Sequence, residues 1–333
     1  MTTLTTRVRP RHDAGPRPVP WRRMAWVTWR QHRAALSGVA VFLGALAVYL
    51  GLTGLQMHHF YAAACHPASS VDCAMNFTGR YGPTGIVVSI FLQAVPALIG
   101  AFAGAPVLAR ELETGTFRFA WTQGMGRLRW TIGKLGLLAV AVAAAAGAFS
   151  ALYSWYNQPF FAAGYAMPLS TRVFDLSGVA FTAWTLAAFA IGALAGMLVR
   201  RVVPAIAATL AVYAGLAFAT ALWLREHYMT PLITSKLNLP GSAWIVSQWY
   251  TKGGKFAFPA RGSQIVNALS QACAGSPNVS SAQCLTQHGY TQWSSYQPAS
   301  RFWPFQWIEG GWLLVLSVLL IAATVWLVRR RAT

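Results

Sequence analysis

Glu111 and Glu113 are two of only seven acidic residues in a chain of 333. They stand just before Thr116–Gln123, a stretch long enough for two helical turns, which Gly124 would stop. Acids at a helix start favour the helix dipole, which is the plain reading of the pair. The same run also carries Phe117, Phe119 and Trp121. A water-facing loop with three aromatics wants a partner surface or a membrane to cover them, so docking is the chemistry on offer. The cysteines offer another. Cys65 and Cys73 share one hydrophilic loop, and Cys273 and Cys284 share another. Both loops fall on the side expected to be external, where thiols pair, giving Cys65–Cys73 and Cys273–Cys284. The competing reading is a metal site from Cys65, His58, His59 and His66. Its spacing fits no zinc pattern, and no metal is expected.

No catalytic residue is expected. The sequence has no GxSxG elbow, no HExxH and no carboxylate pair inside an apolar stretch. Gly133-Lys134 is followed by Leu135, without the upstream glycine and the Ser or Thr of a phosphate-binding loop. If this chain moves something uphill, the energy comes from another subunit.

The elements that position these residues are apolar. The composition is 56% hydrophobic and only 10% charged, against about 25% charged in soluble domains. A membrane-spanning helix needs about 20 apolar residues. Spans are expected at Ala34–Leu55, Gly85–Ala109, Ile132–Tyr156, Phe174–Val199, Val202–Leu224 and Gly310–Val328. The hydrophilic segments between them alternate in charge. The odd-numbered ones hold eighteen of the twenty-six Lys and Arg, with Lys134 at a span edge included. Cytoplasmic loops carry this excess, so both termini are expected in the cytoplasm. The net charge of +19 is then topogenic and suits an anionic inner leaflet rather than nucleic acid.

The fold expected is an all-α integral membrane protein of six transmembrane helices. Residues 1–20 form a disordered basic arm. Residues 21–33 form an interfacial helix, with Trp21, Trp26 and Trp29 at headgroup level beside Arg22, Arg23, Arg30 and Arg33. Spans one to five occupy 34–224, with a cytoplasmic loop at 110–131. An enlarged extracellular segment covers 225–309, span six 310–328 and a basic tail 329–333. The first span is too long for a cleaved signal and has no small-residue cleavage site after it. Lys134, Asp175 and Glu309 fall at span edges, where they would reach water. The span middles lack ionisable residues, which counts against a proton-coupled carrier. Pro96 and Pro106 are candidate kinks in span two. Gly100 with Gly104, and Gly192 with Gly196, set small residues four apart, for close packing within the chain or across a dimer seam.

Three runs resemble exporter-type ABC transporter permeases, especially those of actinobacteria. They are Arg110-Glu111-Leu112-Glu113-Thr114-Gly115-Thr116 through Trp121-Thr122-Gln123 and Arg127-Leu128-Arg129-Trp130, Trp26-Val27-Thr28-Trp29-Arg30-Gln31-His32-Arg33, and Tyr296-Gln297-Pro298-Ala299-Ser300-Arg301-Phe302-Trp303-Pro304-Phe305-Gln306-Trp307-Ile308-Glu309. The resemblance implies a non-catalytic permease that pairs with a second permease and with separate ABC ATPase subunits, which would bind the ATP and Mg. It implies that Trp21–Arg33 is a connecting helix. It also implies a coupling helix at Glu111–Gln123, involving Arg110, Glu111, Glu113, Thr114, Gly115, Phe117, Phe119 and Trp121. The segment 225–309 is larger than the outer hairpin of simple members. On this reading the chain exports a hydrophobic or amphiphilic compound across the bacterial plasma membrane. Phe91, Gln93, Phe102, Tyr213, Phe218 and Trp223 are the candidate cargo-lining residues. Ion-coupled secondary carriage, a non-transporting membrane protein whose 225–309 segment binds an envelope partner, and an intramembrane enzyme are the rivals.

Overall fold

A computed structural model describes residues 21–65, 71–115, 127–236, 239–260, 264 and 285–331, with backbone alone for helical residues 21–25, 27–29, 31–32, 34–36, 71, 127 and 331. Six helical stretches are long and apolar enough to cross a membrane: Ser37–Ala64, Asp72–Thr114, Leu128–Ala162, Gly178–Val199, Val202–His227 and Ala299–Arg330. They are called spans one to six below. Span one belongs to one continuous helix, Trp21–Ala64, with no break between the expected interfacial segment and the apolar stretch.

The expected outer loop 56–84 is mostly helix. Span one runs on to Ala64 and span two starts at Val71. A disulfide between Cys65 and Cys73 closes the short link between them. His58 stacks on Trp155 of span three with ring centroids 4.6 Å apart, and its Nε2 meets the Trp155 carbonyl at 3.1 Å. That ring is therefore engaged in packing. Cys273 and Cys284, the second expected pair, lie outside the described residues, as does His66.

Span two is a helix in pieces. It turns at Gln93 and Ala94, restarts at Val95–Ile99, widens into a π-helical turn at Gly100–Gly104 and resumes at Pro106–Thr114. Pro96 and Pro106 sit in the first turns of the restarted helices, where a missing N–H costs nothing. Widened turns of this kind leave a bulge that close packing must accommodate. Span four accommodates it. A Cβ on Gly100 would lie 2.6 Å from the Ala188 carbonyl oxygen, and one on Gly104 2.6 Å from that of Phe189. From the other side, Gly192 rests on the Gly100 carbonyl and Gly196 on that of Ala105. The two glycine pairs thus pack against each other within one chain.

Span four is the hub. It touches spans two, three, five and six, and 72% of its apolar stretch is buried, against 11% in span one and in span five. Its alanines and glycines keep it thin, so four helices approach it closely.

The segment before span six adds an element absent from the sequence reading: a four-stranded antiparallel sheet of order β1-β4-β2-β3. The strands are β1 Leu232–Thr234, β2 Trp244–Lys252, β3 Lys255–Pro259 and β4 Tyr290–Gln297. Gly253 and Gly254 both have positive φ (57° and 77°), as the tight hairpin joining β2 to β3 requires. Trp249 pairs across with Trp293, and Tyr250, Phe258 and Leu285 form a small core. The Gln297 amide donates to the Met229 carbonyl at 2.7 Å and fastens the sheet to the end of span five.

The seam predicts an asymmetry among glycines. Gly192→Val should cost about 1–3 kcal/mol or more through overpacking against backbone. In detergent its thermal unfolding midpoint should fall clearly below wild type. Gly44→Ala, which meets nothing within 4 Å, should leave the midpoint in place.

Candidate functional site

Two groups of polar residues stand out, one at each end of the bundle. At the end away from the sheet, the last helix of span two stops at Gly115, which takes a left-handed conformation (φ 70°). Glu111 and Glu113 are in the final turn of that helix, and the expected helix Thr116–Gln123 lies outside the described residues. Lys134 of span three donates to Glu111 Oε1 at 2.5 Å and to the Val107 carbonyl at 2.9 Å. Its side chain is 1% exposed, so it does not reach water as its place near a span edge suggests. The reason is register: the helix of span three begins at Arg127, which leaves position 134 facing span two.

Glu113 faces the other way. Its Oε2 accepts the Val202 backbone N–H at 3.0 Å. Val202 opens span five, and the first N–H groups of a helix have no partner inside it. Before it, Arg200 is left-handed (φ 58°) and Arg201 extended, forming a two-residue turn from span four, with Pro204 in the next first turn. One helix end thus ties span two to span three through Glu111 and to span five through Glu113. Thr114 Oγ1 donates to the Arg110 carbonyl at 2.8 Å, and Arg110 is exposed. Phe117, Phe119 and Trp121 lie outside the described residues.

Of the expected connecting-helix side chains, Trp26, Arg30 and Arg33 are exposed, with the Arg30 guanidinium 5.2 Å from the Trp26 ring centre. The side chains of Trp21, Arg22, Arg23 and Trp29 are outside the description.

At the sheet end, Arg225 is buried near the close of span five. Its Nε and Nη2 donate to the two oxygens of Glu309 at 3.0 and 2.7 Å, and Nη2 also donates to Asp175 Oδ1. The Trp184 indole N–H donates to Glu309 Oε1 at 2.8 Å. Glu309 does not reach water either: the long α-helix of span six starts at Phe302, and position 309 lies two turns inside it. Asp175 lies between spans three and four, with its side chain 23% exposed. Burial pushes its carboxyl up to about 6, the Arg225 guanidinium opposes that and Glu309 adds to it. These residues were not assembled from the sequence, because they stand far apart along the chain. The signal was there in single form: Arg225 and Glu309 each interrupt a largely apolar run.

Asp175 also lines a cavity of about 530 Å³, with Gln93, Thr171, Trp184, Tyr213 and Phe218. Three candidate cargo residues, Gln93, Tyr213 and Phe218, therefore share one wall. Phe91, Phe102 and Trp223 project from the outside of the bundle.

The sequence model of the family described as ABC-2 membrane transporter related matches residues 40–225. No curated protein and no solved structure matches the chain.

Two outcomes are expected. Glu111→Gln should leave Lys134 as an uncompensated buried charge and cost about 3–5 kcal/mol, while Glu111→Leu with Lys134→Met should recover much of it. Thermal unfolding in detergent reads both. Asp175 has a folded pKa near 6 against an ordinary 3.8, so its proton binds more tightly in the folded chain. Stability from this group should fall as pH rises from about 4 through 6. Asp175→Asn should flatten that slope without lowering stability at pH 7.5.

Proposed function

We propose that this chain, which belongs to the ABC-2 membrane transporter related family, is the permease subunit of an ATP-driven exporter that moves a hydrophobic or amphiphilic compound across the plasma membrane. It is a multi-pass membrane protein without the motifs of an ATPase, so nucleotide hydrolysis is assigned to separate ABC ATPase subunits. A second permease, identical or related, completes the transporter. The arginine-rich segments favour an orientation with both termini and the Gly115 loop in the cytoplasm.

One observation supports the coupling role most directly: Glu111 and Glu113 bind different spans from a single helix end. A push on the loop beyond Gly115 is then delivered to span three through a buried ion pair and to span five through a helix cap. Span four, wedged behind both, provides the fixed body. ATP binding in the partner would favour one arrangement of this lever over the other, and only that difference in affinity can move it. The cavity between spans two, four and five lies along the same moving elements.

The test is purification of the tagged chain from native membranes in mild detergent, followed by reconstitution of the recovered complex. An ABC ATPase should co-purify and hydrolyse ATP. Glu113→Ala removes an exposed cap that accounts for about 1 kcal/mol or less, so the complex should still assemble. ATP-driven transport should fall at least about tenfold, the loss expected when one link in a positioning chain slips. Full coupling in that variant would remove the lever assignment. ATP hydrolysis by the isolated chain would remove the permease reading.

A further inference from the structure

The Arg225 cluster has unequal charges. Two carboxylates, Asp175 and Glu309, share one guanidinium. Glu309 is fully buried and takes three donors, two from Arg225 and one from Trp184. Asp175 differs. Its Oδ1 takes the Arg225 bond, and no donor among the described residues reaches its Oδ2. It is also the acid of the pair that lines the cavity. The cluster is therefore one positive charge short at the cavity wall.

The rest of that wall is apolar and aromatic. Trp184 and Tyr213 meet edge to face at 5.6 Å, and Phe218 lines the same space with small residues from span five. Aromatic faces attract cations, more strongly where water is scarce. Gln93 is held by its amide N–H to the Thr171 carbonyl at 3.2 Å, which keeps a neutral polar group at the rim. A volume of about 530 Å³ falls in the range of cavities that hold drug-sized ligands.

We infer that this cavity binds lipophilic cations, with the positive centre against Asp175 and the apolar body among Trp184, Tyr213 and Phe218. The inference deepens the permease reading by naming the chemical class of cargo, and it rests on that reading only for the word cargo. An anion of equal size would meet the surplus carboxylate and be repelled.

The test uses the full chain in nanodiscs of neutral lipid, without ATPase, and two probes of one shape and opposite charge. These are tetraphenylphosphonium and tetraphenylborate, with empty nanodiscs as background. The cation should bind saturably and the anion should not. Asp175→Asn should weaken the cation about tenfold or more, because one partner of a desolvated charge pair is lost. Ala214→Trp, which fills the cavity and leaves all three charged residues in place, should abolish saturable binding. Equal affinity for both probes, or unchanged cation affinity in either variant, would overturn the inference. Because no nucleotide is involved, such a failure leaves the permease reading standing. Cation binding without a co-purifying ATPase would instead keep the site and sink the transporter.

Discussion

A lipid bilayer supplies no water to ionised side chains, so a charge carried into a bundle must find its partner inside the protein. This chain meets that constraint by pairing charges between spans. Lys134 of span three meets Glu111 of span two, and Arg225 of span five meets Glu309 of span six and Asp175 ahead of span four. Each set sits close to one end of the bundle; Lys134 and Glu111 join consecutive spans, whereas Arg225, Glu309 and Asp175 stand far apart along the chain. Pairs of this kind add little net stability against apolar replacements, but Lys134–Glu111 and Arg225–Glu309 cannot be half-removed cheaply. Their value is positional: they fix which helix end faces which.

Between the two charged ends the helices are held by contact alone. Gly100, Gly104, Gly192 and Gly196 let spans two and four approach until backbone touches backbone. That close seam makes span four a post on which the other spans bear. Span two, broken at Gln93 and again at the π-helical turn after Ile99, bends around it. The breaks leave a cavity between spans two, four and five, beside the charged cluster at the sheet end. The proposed lever at Glu111 and Glu113 and the carboxylate at Asp175 thus stand at opposite ends of one linked set of helices.

The spans were legible because about twenty consecutive apolar residues leave few alternatives. The glycine pairs were visible as motifs, although spacing alone did not tell an internal seam from a dimer seam. The charged contacts were not legible. Lys134 looks like a residue at a span edge until the start of span three at Arg127 sets its direction. Glu309 looks like a boundary until the helix is seen to begin at Phe302. The sheet was missed although Lys252-Gly253-Gly254-Lys255 carries a hairpin signature and Trp244–Lys252 is rich in strand-forming residues. Its strands alternate too weakly in polarity to stand out beside apolar runs of about twenty residues. Gln93, Tyr213 and Phe218 line one cavity, Phe218 at its exposed edge, while Phe91, Phe102 and Trp223 do not line it, a division that depends on helix rotation and not on residue type.

The central claim is that force enters this chain at the helix end formed by Glu111–Gly115, from a nucleotide-hydrolysing partner. A photo-crosslinking amino acid placed at position 114 in the native complex tests it most directly, with position 252 in the β2–β3 hairpin as the opposite-end control. The account predicts an ATP-sensitive adduct to an ABC ATPase from 114 and none from 252. An ATPase adduct from 252 with none from 114 would contradict it.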